Sequence, residues 1–172
     1  MQKVVLKFGL IAGAIMGGTM LVSMLVYRWQ DWGDSAFEYG AYFGYASMLL
    51  ALLFVYLGIK SYREQYGHLS FGKGLQVGLL VTAVACVCYA LVWLVCYYNI
   101  YPTFMEDYNA YHLKQLQKAN LSPTEMAEEI AAMKDFAQLY KNPLINFGIT
   151  LMEPLPVGLL VSLVSAWVLK SK

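Results

Sequence analysis

The stretch GLQVGLLVTAVACVCYALVWLVCYY, residues 74–98, holds no charged side chain. About 20 apolar residues in an α-helix cross the roughly 30 Å hydrocarbon core of a bilayer, and this run exceeds that length. Three further stretches are long and apolar enough: Val4–Tyr27, Ala41–Ile59 and Leu144–Leu169. Lys3 and Lys7 come before the uninterrupted apolar part of the first, as they would in a signal peptide. That run is too long, however, and no small-x-small cleavage site follows near Tyr27 and Arg28. It reads as a retained span.

The totals point the same way. The chain has 172 residues, of which 59% are hydrophobic and 13% charged, against about 25% charged in an ordinary soluble domain. One small soluble fold could not hide so much apolar surface in its own interior, so lipid has to cover part of it. The formal net charge is +1 with no basic stretch, which leaves no footprint for nucleic acid. Cys86, Cys88 and Cys96 all fall in one apolar run. They form neither a secreted disulfide framework nor a zinc-ligand set, and read as small apolar fillers.

Charge orients the spans. The N-terminus, the loop 60–73 and the C-terminus carry Lys3, Lys7, Lys60, Arg63, Lys73, Lys170 and Lys172, with Glu64 as their one acid. The opposite side carries Arg28, Lys114, Lys118, Lys134 and Lys141 against nine acids running from Asp31 to Asp135. Basic residues near span ends favour the cytoplasm, so both termini are expected there. Tyr27, Trp29, Trp32, Tyr39, Tyr42, Trp93, Tyr97, Tyr98 and Tyr101 cluster where the spans reach the outer headgroups, as an anchoring aromatic belt would.

The segment 99–142 is too long to lack structure of its own. A first helix is expected from about Phe104 to Ala119. A second starts at Ser122-Pro123-Thr124-Glu125, which joins an N-cap Ser, Pro at the first helical position and a capping-box Glu. Met126, Ile130, Met133 and Ala137 then recur on one face. The expected fold is one all-α integral membrane domain, residues 1–172. Four transmembrane helices form a tight bundle, and an extracytoplasmic amphipathic helical hairpin joins the third and fourth.

In lipid, helices associate through close backbone contact, which small residues four apart permit. Such stripes recur: Gly9, Gly13 and Gly17; Gly40 and Gly44; Gly74, Gly78, Thr82, Cys86 and Ala90; Gly158, Ser162 and Ala166. The first and third spans also share Gly-Leu-x-x-Gly, at Gly9 and Gly74, and the second and fourth both exit at Lys-Ser. Two duplicated helical hairpins would produce this, as would chance among glycine-rich spans.

Glu153 is the one acid inside an expected span. Nine residues beyond Leu144, at 1.5 Å each, it lies roughly 13 Å deep, where an acid costs on the order of 2.5–3.5 kcal/mol. Pro154 and Pro156 follow. Without N–H groups they leave the carbonyls of Thr150 and Met152 without helical partners, and a kinked helix with freed carbonyls is one way that binding sites are built in membranes. Alternatively the span begins at Pro154, with Glu153 at the outer interface beside a helix N-terminus. Counting inward to the same depth elsewhere reaches Gly18, Thr19, Leu50 and Tyr89, with Tyr45 and Ser47 within a turn. Tyr89 is the expected hydrogen-bond partner of Glu153, and Glu153, Tyr89, Thr19 and Ser47 are the candidate polar site. His68 and His112 lie in loops on opposite sides and cannot share a metal. No nucleophile–base pair, phosphate loop or metal cluster is visible, so neither catalysis nor a cofactor is expected.

Several of these segments carry a resemblance. They are Lys7-Phe8-Gly9 with Gly13; Gly44-Tyr45-Ala46-Ser47-Met48; Gly58-Ile59-Lys60-Ser61-Tyr62-Arg63-Glu64; Ser70-Phe71-Gly72-Lys73-Gly74 with Gly78; Lys141-Asn142-Pro143; and Glu153 leading to Pro156-Val157-Gly158. In them the chain resembles the bacterial membrane-protein family called domain of unknown function 4199. The likeness runs nearly end to end, with variation expected near Asn120. It implies a small four-span protein of a bacterial cytoplasmic membrane and brings no activity with it. The expected role is a non-enzymatic interaction, assembly or sensing component of the membrane. The rival is a small proton- or solute-coupled transporter or channel that uses Glu153. Expected partners are the lipid bilayer and another membrane protein or a second copy of the chain.

Overall fold

A computed structural model describes residues 1–29, 34–119 and 121–171. The expectations placed on Asp31, Trp32, Asn120 and Lys172 fall outside the described residues. Seven α-helices account for most of the rest: α1 (Gln2–Trp29), α2 (Asp34–Tyr66), α3 (Phe71–Val95), α4 (Phe104–Lys118), α5 (Pro123–Tyr140), α6 (Pro143–Met152) and α7 (Leu155–Leu169). Cys96–Ile100 continues α3 as a wider π-helical turn.

Among the described residues, four helical stretches are long and apolar enough to cross a membrane: Gln2–Trp29, Phe37–Tyr66, Phe71–Ile100 and Pro143–Leu169. Each runs past its apolar run, because backbone hydrogen bonding does not stop where polar side chains begin. Only 22–39% of their most apolar windows is buried within the protein, so most of that apolar surface faces outward. Leu10, Leu53, Leu91, Leu160 and Trp167 are all more than half exposed.

Local chemistry sets the ends. Gly67, at φ 79°, takes the left-handed conformation that suits glycine, and its N–H bonds the Arg63 carbonyl at 2.8 Å, closing α2. The Ser70 hydroxyl accepts the Lys73 N–H and opens α3. At α5 both arms of the capping box form, Ser122 Oγ accepting from Glu125 N and Glu125 Oε2 from Ser122 N. On α5 the residues Met126, Ile130, Met133 and Ala137 are half-buried while their neighbours from Pro123 to Leu139 are exposed.

The stripes of small residues fix the packing register. A Cβ on Gly9 would lie 2.6 Å from Val84 Cβ, one on Gly13 2.5 Å from Cys88 Cβ, and one on Gly17 2.9 Å from Val92 Cγ2. The constant offset of 75 residues (84 − 9, 88 − 13, 92 − 17) makes α1 and α3 parallel. On its other side α3 meets α7 running antiparallel: Gly74 backs onto Ala166, Gly78 onto Ser162, and Thr82 fills the space that a side chain on Gly158 would take. Gly58 sits against Phe8, and Gly40 against the Tyr27 hydroxyl, so α2 returns alongside α1.

The matching Gly-Leu-x-x-Gly patterns of α1 and α3 meet different neighbours, α3 in one case and α7 in the other. Two expectations need correction. Gly44 is no helix contact, since a Cβ there would meet nothing within 4 Å. Trp93 and Tyr97 are buried rather than anchoring at an interface. They face inward, with Trp93 edge-on to Phe104 at 5.1 Å and Tyr97 edge-on to Tyr140 at 5.6 Å, because the helix face they occupy is the one that α4 and α5 cover.

Both termini and the α2–α3 turn meet at one end. The terminal amine donates to the Tyr66 hydroxyl at 3.0 Å, Ser171 N to the Leu69 carbonyl at 2.8 Å, and the Arg63 guanidinium to the Leu169 carbonyl at 3.3 Å. At the other end Arg28 reaches the Ile100 carbonyl at 2.7 Å. There Asp107 accepts from the hydroxyls of Tyr101 and Thr103, tying α4 to the π-helical turn.

Candidate functional site

The fourth apolar stretch is interrupted between α6 and α7, although Glu153 and Pro154 both keep right-handed helical backbone angles. Pro154 has no N–H to give to Thr150, and the Thr150 carbonyl takes the Glu153 N–H instead, at 3.3 Å. That carbonyl is therefore not free, contrary to expectation. Gly158 N then bonds the Pro154 carbonyl at 2.9 Å and restarts the helix. The break presents the Glu153 side chain sideways toward α3, where the Tyr89 hydroxyl donates to Glu153 Oε2 at 3.2 Å.

Tyr89 precedes the end of its apolar stretch, Ile100, by eleven residues (100 − 89), about 16 Å along a helix. Glu153 thus sits well within the length of the helices and not at their tips, against the reading in which the span starts at Pro154.

Glu153 and Tyr89 line a cavity of about 260 Å³ together with Thr19 and Ser47. All four candidate polar residues meet there. Gly18 and Leu50, counted to the same depth, do not: Leu50 is 63% exposed and Gly18 adjoins open space. Met16, Met20, Met24 and Met48 form much of the wall, and Trp93, Phe104 and Tyr108 close it on the α4 side. Gly44, Tyr45 and Glu153 are exposed, so the cavity opens on the flank of the molecule. Beneath Met16 and Met48 the space is filled, with Ala12, Ala51, Leu52, Val55 and Val81 fully buried.

Three hydroxyls of the wall are already spent as donors. Those of Thr19, Ser23 and Ser47 donate to carbonyls of their own helices, those of Ile15 at 2.8 Å, Thr19 at 2.9 Å and Gly44 at 2.8 Å. Lone pairs on Thr19 and Ser47 remain available, and the Glu153 carboxylate adds more. The buried Trp93 Nε1 on the same wall finds no partner among the described residues. No Lys, Arg or His is among the described lining residues.

A second polar cluster lies above the break. Asn146, fully buried, donates to the Tyr140 carbonyl at 3.4 Å, and the Thr150 hydroxyl bonds the Asn146 carbonyl at 2.9 Å. Sequence reasoning passed over this cluster, although Asn146, Thr150 and Glu153 recur at helical spacing within an apolar run. The methionines and Ser23 were also missed, since nothing in the sequence says which helix faces will fail to close. Among the described residues no group of three metal-ligating side chains comes together.

A family described as Protein of unknown function (DUF4199) matches residues 7–171. This chain belongs to DUF4199. No curated protein and no solved structure matches it. For this DUF4199 member the cavity's own chemistry is therefore the guide to function.

Proposed function

We propose that this DUF4199 protein is a multi-pass integral membrane protein of a bacterial cytoplasmic membrane and acts there as a non-enzymatic interaction, assembly or sensing component. The observation that carries the membrane reading is the outward apolar surface on the four long helices, each long enough to cross the hydrocarbon core of a bilayer. Gathering of the termini and the α2–α3 turn at one end supports a cytoplasmic placement for that end, since it brings Lys3, Lys7, Lys60, Arg63, Lys73 and Lys170 together. Helices α4 and α5 would then lie outside the membrane on the opposite side, available to a partner.

The cavity supports sensing over transport. It opens on the flank and is floored by packed side chains, so no route continues from Glu153 toward the end that carries the termini.

The topology is tested by single cysteines in a background where Cys86, Cys88 and Cys96 are replaced by Ala. In intact spheroplasts an impermeant maleimide should label Lys134→Cys and spare Glu64→Cys, and the protein should resist alkaline extraction. Labelling of both sites from one side, or release by alkaline buffer, would overturn the placement. Proton flux in proteoliposomes tests the role: flux in the wild type that is lost in Glu153→Gln would replace sensing with transport.

A further inference from the structure

We propose that the cavity between α1, α2, α3 and the α6–α7 break is a binding site for a small lipophilic amine, its ammonium group held by Glu153. This deepens the sensing role proposed above. It depends on the membrane reading only for how the ligand arrives.

Three observations carry the assignment. The first is size. At about 260 Å³ the cavity exceeds the roughly 150 Å³ that holds benzene in an engineered protein cavity, so a single aromatic ring with a short arm fits. The second is polarity. The side-chain hydroxyls of Thr19, Ser23 and Ser47 already donate to their own backbones, and among the described lining residues Glu153 is the one carboxylate and no cation is present. A ligand that brings donors and positive charge finds acceptors in place. An anion would have to give up water and find no positively charged side chain in exchange. The third is the aromatic wall: Tyr27, Tyr45, Trp93, Phe104 and Tyr108 offer ring faces, which attract an ammonium group.

The geometry also says how the ligand docks. Glu153 and Tyr45 lie at the exposed flank, while the methionines line the inner wall. The amine stays near the mouth beside Glu153 and Tyr89, and the apolar body points inward onto Met16, Met20 and Met48. A flexible methionine wall accommodates more than one body shape, so selectivity rests on the head group.

The test uses the full chain in detergent, titrated with 2-phenylethylamine, 2-phenylethanol and 3-phenylpropionate, three probes that share one aromatic body. Binding is read by calorimetry and by quenching of tryptophan fluorescence. The amine should bind saturably, the alcohol at least tenfold more weakly, and the acid not at all. Glu153→Gln should weaken the amine tenfold or more and leave the alcohol unchanged. Gly44→Leu should abolish binding of both while the protein keeps its melting temperature, because a side chain there enters open space. Three results would each overturn the proposal: preference for the acid, amine binding untouched by Glu153→Gln, or no saturable binding of any probe by folded protein. Detergent extraction and folding are scored separately, so failure of the membrane reading would show itself independently of failure of the site.

Discussion

The two ends of the molecule are built from the same kind of apolar helix and close to different degrees. At the end that carries the termini, Gly9, Gly13, Gly74, Gly78 and Gly158 let backbones approach until neighbouring side chains occupy the space a Cβ would take. That half is solid. Toward the other end Gly17 and Gly40 still meet Val92 and Tyr27, yet no neighbour closes on the equally small Gly44, and methionine and aromatic side chains line a cavity beside it. Small residues permit contact without compelling it. What decides is whether the opposing helix stays within reach. At this level Pro154 interrupts the fourth apolar stretch.

Substitutions at matched glycines should show the contrast most strongly. Gly158→Leu drives a side chain into Thr82 and should cost about 3 kcal/mol or more, at the upper end of overpacking penalties. Gly44→Leu should change stability by no more than about 1 kcal/mol, and in the favourable direction if helix propensity dominates. Reversible unfolding in mixed micelles measures both, and equal losses would erase the distinction between the halves.

Next comes the buried cluster beside the break. Asn146→Leu removes a donor from the Tyr140 carbonyl, which keeps only a share of the Tyr98 hydroxyl, 3.4 Å away and 3.2 Å from the Lys141 carbonyl. A loss of about 1 kcal/mol is expected for this partly compensated carbonyl. A gain would mean that Asn146 is not part of what holds α6 in place.

Smaller still is Tyr89→Phe. Side-chain hydrogen bonds within membrane proteins average about 0.6 kcal/mol, and the unfolding free energy should fall by no more than that. A loss of several kcal/mol would make the Tyr89–Glu153 pair a structural clasp and not part of an open site.

The smallest effect lies outside the spans. The Ser122 N–H holds the Glu125 carboxyl below the ordinary glutamate range. A depressed folded-state value means that the support is present at neutral pH and is lost as pH falls through that value. Amide exchange in the first turn of α5, corrected for its intrinsic pH dependence, should therefore quicken on acidification. Glu125→Gln should remove that response, and the cavity half should not feel either change.

Much of the architecture was legible beforehand because it rests on local chemistry. An uncharged run such as 74–98 has one way to satisfy its backbone away from water, as a helix, and Ser122-Pro123-Thr124-Glu125 carries its own capping bonds. The level of Glu153 beside Tyr89 followed from counting residues at a constant rise. Partners and faces did not follow. Gly9 and Gly74 begin the same pattern in the sequence, and only packing sends one to α3 and the other to α7. Trp93 and Tyr97 have the composition of an anchoring belt, and only the cover provided by α4 and α5 turns them into core.

The sequence by itself determined where helices form and where one is interrupted, since hydrogen bonding, capping and the missing N–H of Pro154 act within a few residues. Only the tertiary structure decided which stripes interlock and which part of the interior stays open. A cavity is the failure of several distant surfaces to meet, and no single segment of Thr19, Ser47, Tyr89 or Glu153 encodes that gap.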